Sequence, residues 1–147
     1  TTPYLVIEDY MKQSLIEAAQ RGVDVRIITP SIPDKKLVKI LTYYNYGSLL
    51  KEGIRIYEYT PGFVHAKVFV SDDDTATVGT INLDYRSLYL HFECGAYIYD
   101  HPVVADIERD FQETLKKCQK ISLTEVENRP VTYKVMGQIL RLIAPLM

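Results

Sequence analysis

The stretch Phe63-Val64-His65-Ala66-Lys67-Val68-Phe69-Val70-Ser71-Asp72 decides the fold, because it sets β-branched and aromatic residues among polar side chains at fixed spacing. Residues two apart in a strand share a face, so a strand over 63–71 projects His65 and Lys67 together. Asp72 has the opposite parity, and we expect it to act at the strand end by positioning backbone or a neighbouring base. The alternate residues are predicted to point into a core: Val64, Ala66, Val68 and Val70.

A second strand is predicted to return antiparallel after an acidic turn. If residues 73–74 form a two-residue turn, the register sets Lys67 opposite Thr80. His65 then lies opposite Asn82. Directly opposed residues share a face of the sheet, so these four polar side chains are predicted to form one patch.

Each group in this patch suits a phosphodiester. Lys67 supplies a point charge for the non-bridging oxygens, and Thr80 and Asn82 can donate hydrogen bonds to them. Imidazole titrates near neutral pH, so His65 can attack phosphorus or move a proton. A carboxylate must orient that ring, and Glu93 on the next strand is the candidate.

Local patterns around this hairpin predict alternating strands and helices. Further strands are expected over residues 3–7, 23–28, 54–59, 75–81 and 91–99. Helices are expected from an Asp9 cap to about Gln20, from an Asp34 cap through residues 37–41, and over 102–119 and 131–143. This order favours the α/β class with a mixed sheet, in one domain spanning residues 1–147.

The composition is that of an ordinary globular protein. The formal net charge of −2 argues against a nucleic-acid partner, because phosphate-dense polymers usually meet basic surfaces. The two cysteines, Cys94 and Cys118, form no metal-ligand or redox spacing, so we expect reduced, structural thiols. No apolar run approaches the roughly 20 residues needed to cross a bilayer. Because the chain opens on what reads as a strand already under way, we expect a fragment of a longer protein.

The central pattern resembles a known family. His65-x-Lys67-x4-Asp72, followed by Gly79-Thr80-x-Asn82 and then Glu93, resembles the HKD signature of the phospholipase D superfamily. The runs 57–67 and 78–87 are similar to bacterial cardiolipin synthases, and the similarity covers nearly the whole chain.

Two departures from that family pattern concern the region of the motif. Thr80 stands where many superfamily members carry Ser, which retains the hydroxyl. His91 stands where cardiolipin synthases often carry Asn.

The resemblance implies a phospholipase D-like α-β-α sandwich that forms one of two lobes, here the C-terminal half of a two-motif enzyme. It also implies a phosphatidyltransferase that moves a phosphatidyl group between two phosphatidylglycerol molecules through a phospho-histidine intermediate and releases glycerol. His65, Lys67 and Asp72 would be catalytic, Thr80 and Asn82 would bind the phosphate, and no metal or cofactor would be needed.

The resemblance further implies partners and a location. The second HKD lobe of the same enzyme, or a homodimer partner, would complete the site, and this fragment alone would have little activity. The substrate implies a membrane surface at the cell membrane, with the catalytic domain on the cytoplasmic side and transmembrane segments outside this fragment.

Two other functions stay open at this point. A single-motif homodimeric phosphodiesterase or nuclease would use the same motif but should present a basic cleft. A non-catalytic interaction domain should first lose His65, Lys67 or Asn82, and all three are present. For the helix at 131–143, packing on its own domain is the expected default and contact with a membrane the alternative.

Overall fold

A computed structural model describes residues 1–144, so the last three residues of the predicted domain 1–147 lie outside the described part. The strands are β1 (Leu5–Val6), β2 (Arg26–Pro30), β3 (Arg55–Tyr59), β4 (Val68–Ser71), β5 (Thr75–Gly79), β6 (Leu83–Asp84), β7 (Gly95–Tyr99) and β8 (Cys118–Lys120). The α-helices are α1 (Asp9–Gln20), α2 (Lys36–Lys51), α3 (Val103–Leu115), α4 (Leu123–Glu127) and α5 (Val131–Ile143), and a π-helix spans Arg86–Leu90. None of the helices within residues 1–144 is long and apolar enough to cross a membrane.

Within residues 1–144, the strands form three hydrogen-bonded sheets. β2 runs parallel to β3, and β8 is antiparallel to β3. β4, β5 and β7 form an antiparallel meander, and β1 pairs parallel with β6. Backbone hydrogen bonds from Thr2 N to Ile28 O (3.0 Å) and from Val68 N to Thr1 O (3.2 Å) set the first residues between β2 and β4. The α/β class with mixed sheets is therefore confirmed.

The main core lies where α1 and α2 cover these strands. Because β2 and β3 alternate or run apolar, they bury Ile27 and Ile56, and α2 adds Tyr46 and Leu49 from one face. The helices α4 and α5 pack on α2, and α3 packs on β3, β4 and β5. This packing leaves the end of β5 and the segment before β4 at the surface, where the polar motif lies.

Both predicted helix caps are wrong. The Glu8 carboxylate, rather than Asp9, accepts a hydrogen bond from Met11 N at 2.9 Å and caps α1. Lys35 precedes α2 without a side-chain cap, since the Asp34 carboxylate instead accepts a hydrogen bond from the Tyr4 hydroxyl at 2.5 Å. In α1 the cap lies one residue earlier than predicted, and in α2 a tertiary contact occupies the predicted capping side chain.

Several predicted elements are shorter than the patterns suggested. The strand predicted over 63–71 begins only at Val68, and the strand predicted over 91–99 begins at Gly95. The helix predicted over 102–119 ends at Leu115, because the residues that follow form β8 against β3. That strand has no clear local signal and depends on its partner.

The predicted hairpin register is wrong by one residue. Ser71 pairs with Thr75, so the turn contains three residues, 72–74, and not two. Asp72 and Asp73 have left-handed backbone conformations, with φ of 55° and 62°, which Asp tolerates better than most residues. The shift brings Gly79, and not Thr80, opposite Lys67, and His65 is not paired with Asn82.

Candidate active site

An open cleft of about 490 Å³ lies between the segment that enters β4 and the segment that leaves β5. It is lined by all four residues of the predicted polar patch, namely His65, Lys67, Thr80 and Asn82. They meet here because β5 ends at Gly79, and strand alternation no longer governs the residues beyond it. The prediction that Ala66 points into the core is wrong, because Ala66 is exposed and also lines the cleft.

His65 and Lys67 are in direct contact. The Lys67 Nζ atom lies 3.0 Å from each ring nitrogen of His65 and donates to the His65 carbonyl oxygen at 2.7 Å. An ammonium group has only donors, so Lys67 can act only as a donor in this contact. The Phe63 ring stacks on the imidazole with centroids 5.6 Å apart and fixes its plane.

The two side chains differ in exposure. Lys67 is 9% exposed and His65 is exposed at the cleft surface. Burial lowers the pKa of Lys67 from its ordinary value, and the negative charges of Glu93 and Asp84 oppose that shift. The Lys67 ammonium thus lies against His65, and the charges of these two carboxylates favour its protonated form.

Thr80 is fixed by the segment that enters β7. Its backbone N–H donates to the Cys94 carbonyl at 2.9 Å, and its hydroxyl accepts from Cys94 N at 3.0 Å. The same hydroxyl donates to the Glu93 carboxylate. These bonds hold the Thr80 side chain at the edge of the cleft.

Asn82 is positioned by a residue that the sequence analysis did not single out. Its amide nitrogen donates to the buried Ser87 hydroxyl at 3.1 Å, and Ser87 N donates to the Asp84 carboxylate at 2.7 Å. The Asn82 Oδ1 atom is buried and has no hydrogen-bond partner within residues 1–144. Ser87 gave no local signal, because the π-helix that carries it is defined only by the folded chain.

Within residues 1–144, Glu93 forms no hydrogen bond or ion pair with the His65 ring, and its role in orienting that ring stays a prediction. Hydrogen bonds from Thr80 and Ser87 lower the pKa of Glu93, and the positive charge of Lys67 adds to the effect. The Glu93 carboxylate lies 3.7 Å from His91 Nδ1. Glu93 thus binds Thr80 on one side and Ser87, the partner of Asn82, on the other.

His91 is in turn held by Arg86, whose Nε donates to His91 Nε2 at 3.1 Å. Asp72, predicted as a catalytic residue, lies at the tip of the β4–β5 turn, outside the cleft lining. There its carboxylate accepts a hydrogen bond from the Ser71 hydroxyl at 2.9 Å. Asp72 thus lies at the strand end, as predicted, and its catalytic role stays a prediction.

The cleft therefore combines an exposed imidazole, a buried ammonium, a fixed hydroxyl and an amide. A phosphodiester carries one negative charge on two non-bridging oxygens, which an ammonium and neutral donors can bind together. The adjoining ring nitrogen can form a bond to phosphorus or transfer a proton. This set of groups matches phosphoryl or phosphatidyl transfer.

Comparison with known sequences agrees with this chemistry. A family model described as "cardiolipin synthase, PLD-like domain" matches residues 1–115. A cardiolipin synthase of Clostridium perfringens is 40% identical over 146 residues, which cover 99% of this chain and 31% of that protein. The chain thus spans about a third of the length of such relatives.

Comparison with solved structures concerns the fold. Phosphatidylserine synthase of Haemophilus influenzae superposes with a TM-score of 0.76 at 18% identity, covering 99% of this chain and 40% of that one. The phospholipase D family member Nuc of Salmonella typhimurium superposes with a TM-score of 0.69 at 19% identity, covering 82% of this chain and 79% of that one. At these identities the likeness shows a shared fold.

Proposed function

This chain belongs to the phospholipase D superfamily, in its family of cardiolipin synthase PLD-like domains, and from that membership we propose that it is the C-terminal catalytic lobe of a cardiolipin-forming phosphatidyltransferase. The family is one of phospholipid-modifying enzymes. The observation that carries the proposal for this chain is the 3.0 Å contact between Lys67 Nζ and the His65 ring in a cleft shared with Thr80 and Asn82. It sets a positive charge and a nucleophile or base within reach of one phosphate group.

The first transfer breaks the bond between phosphorus and the headgroup glycerol of one phosphatidylglycerol. A histidine ring nitrogen forms the new P–N bond, and glycerol leaves with a proton from a second histidine. Lys67 binds the non-bridging oxygens, where negative charge grows in the transition state. Asn82 assists from the cleft edge, and so does Thr80 once its hydroxyl proton turns from Glu93 to the phosphate. His65 fills one of the two histidine roles.

The second transfer reverses these roles. A glycerol hydroxyl of another phosphatidylglycerol attacks phosphorus, its proton passes to the histidine that acted as acid, and the P–N bond breaks. One phosphodiester replaces another, so the products are cardiolipin and glycerol and no nucleotide is consumed. The positive charge that a metal ion supplies in other phosphoryl-transfer sites comes here from Lys67.

The mechanism needs two histidines, and this chain carries one HKD motif. Residues 1–147 are therefore proposed as one lobe, completed by a second HKD lobe of the same polypeptide or by a homodimer partner. The lipid substrates set the site at the cell membrane, with the catalytic lobe on the cytoplasmic side and transmembrane segments outside this fragment.

The test uses phosphatidylglycerol carrying a labelled headgroup, with the chain supplied alone and joined to the polypeptide expected to precede it. The joined protein should release labelled glycerol and form cardiolipin in equal amounts, and the chain alone should do little. His65→Asn should lower this rate by about 10³-fold or more, since proton transfer or attack is lost.

His101→Asn is the matched control, because His101 is an exposed histidine at the start of α3. Cardiolipin formation that survives His65→Asn as well as it survives His101→Asn would contradict the proposal. Cleavage of plasmid DNA with no reaction on lipid would instead favour the phosphodiesterase alternative.

A further inference from the structure

Helix α5 is attached to the domain by a narrow face of small and aliphatic residues. Leu140 and Ala144 are buried against Val6 and Leu41. Gly137 lies so close to α2 that a Cβ there would approach Tyr44 Cβ to 2.9 Å. This face satisfies the default expectation that the helix packs on its own domain.

The opposite face of α5 is apolar and exposed, as the alternative of membrane contact requires. We call it the outer face, and it consists of Val131, Val135, Met136, Ile139, Leu142 and Ile143. These positions recur at intervals of three and four residues, so they share one side of the helix. Val131 is 70% exposed and Leu142 is 82% exposed. A helix that is apolar on two opposite sides needs a second apolar neighbour.

The charges of α5 border the outer face and are all positive. Between residues 131 and 143 the charged side chains are Lys134 and Arg141, and the stretch contains no carboxylate. Lys134 donates to the Glu127 carbonyl at 2.9 Å, and Arg141 donates to the Asp9 carboxylate at 3.0 Å. Their heads lie beside the apolar surface and not across it.

The buried face of α5 is connected to the cleft through Tyr85 and the π-helix that follows it. Tyr85 packs against the cluster that contains Leu140, and its ring centroid lies 6.4 Å from that of Tyr89. The chain then passes through Leu90 and Phe92, which are 66% and 107% exposed. The next residue is Glu93, which binds Thr80 in the cleft. Exposed apolar side chains thus lie along the chain from Tyr89 to the residue that borders the cleft.

We propose that the outer face of α5 lies in the interfacial layer of an anionic phospholipid bilayer and holds the cleft beside its lipid substrate. This rests on the proposed function for the substrate. A helix of 13 residues is about 20 Å long, too short to cross a bilayer but able to lie in its surface. An apolar face bordered by Lys and Arg, on a helix that itself carries no carboxylate, is the pattern of such interfacial helices, and anionic headgroups attract Lys134 and compete with Asp9 for Arg141.

The experiment measures binding to vesicles without turnover. Wild type should sediment with phosphatidylglycerol vesicles and weakly with phosphatidylcholine vesicles, and Val135→Glu should weaken binding to the former by at least about tenfold. Val23→Glu is the matched control, because Val23 is 48% exposed and Val135 is 49% exposed. The melting temperature of each variant shows whether its fold is kept. Equal binding by both folded variants would overturn the proposal.

A second measurement does not depend on charge. The chain contains no Trp, so Leu142→Trp provides a single fluorophore on the outer face. Its emission should shift to the blue when phosphatidylglycerol vesicles are added, and the emission of Val23→Trp should not. A blue shift that appears when the protein concentration is raised without lipid would show that a second copy or another lobe covers this face. That result would overturn the proposal.

Separate measurements test the chemistry of the cleft and the bilayer binding of the outer face. Turnover of monodisperse short-chain phosphatidylglycerol tests the chemistry without a bilayer. Val135→Glu should keep that turnover in the joined protein, and the chain alone carrying the same substitution should lose vesicle binding. Loss of turnover in His65→Asn with vesicle binding unchanged would separate the cleft from the outer face.

Discussion

The backbones of β5 and β7 approach closely beside the cleft at two paired glycines. We expect substitution by Ala to lower the stability of the protein at one of them and not at the other. Gly79 and Gly95 face each other in the register. A Cβ added at Gly79 would lie 2.4 Å from the Cys94 carbonyl oxygen and 2.6 Å from Gly95 Cα. A Cβ added at Gly95 would meet its nearest neighbour, Ile81 Cδ1, at 3.6 Å, which is ordinary contact.

Gly79→Ala must therefore displace β7 by about 1 Å, since non-bonded carbon atoms pack at roughly 3.5–4.0 Å. Overpacking of this kind costs about 1–3 kcal/mol. The displacement also strains the bonds of 2.9 and 3.0 Å that join Thr80 to Cys94. Each is worth about 0.5–1.5 kcal/mol, so the free energy of unfolding should fall by about 2–6 kcal/mol.

Gly95→Ala should leave stability unchanged or raise it by up to about 1 kcal/mol, because Ala restricts the unfolded chain. Thermal unfolding followed by circular dichroism separates the two variants. At about 2–4 °C per kcal/mol, Gly79→Ala should melt roughly 4–28 °C below Gly95→Ala. Melting temperatures that agree within about 2 °C would refute the reasoning.

Three further predictions concern single side chains. Lys39→Met should lower the free energy of unfolding, measured in urea, by about 3–5 kcal/mol. Lys39 pairs with Glu58 at 2.6 Å, and its removal leaves that buried carboxylate without a cation. Adding Glu58→Gln should restore part of the lost stability. Lys67→Met should abolish transfer yet unfold at a higher temperature at pH 7. Burial lowers the folded pKa of Lys67 below 10.5, so the stability of the wild type should rise as the pH increases from that lowered pKa towards 10.5. The difference in melting temperature between the two proteins should therefore narrow over this pH range. A difference that stays constant would contradict this. Thr80→Val should lower the transfer rate by about 10²-fold, and Thr80→Ser should retain it, as measured by glycerol release from the joined protein.

Much of the site could be predicted from local sequence. The i, i+2 spacing of His65 and Lys67 predicted their contact, although the segment that carries them is not a strand. Their contact survives because a Lys side chain is long enough to reach a neighbouring ring and backbone carbonyl without ideal pleating. The cap positions failed for a related reason, since Tyr4 competes for Asp34 from 30 residues away.

Side-chain spacing and residue type, which belong to the chain itself, were enough to determine the α/β class, the motif and the family of this protein. Tertiary structure alone decided the three-residue turn, the pairing of β8, the bond between Glu93 and Thr80, and the outward apolar face of α5. The physical reason is that periodicity fixes which residues share a side of an element. Which neighbour covers that side depends on contacts between segments far apart in the chain, and these exist only after folding.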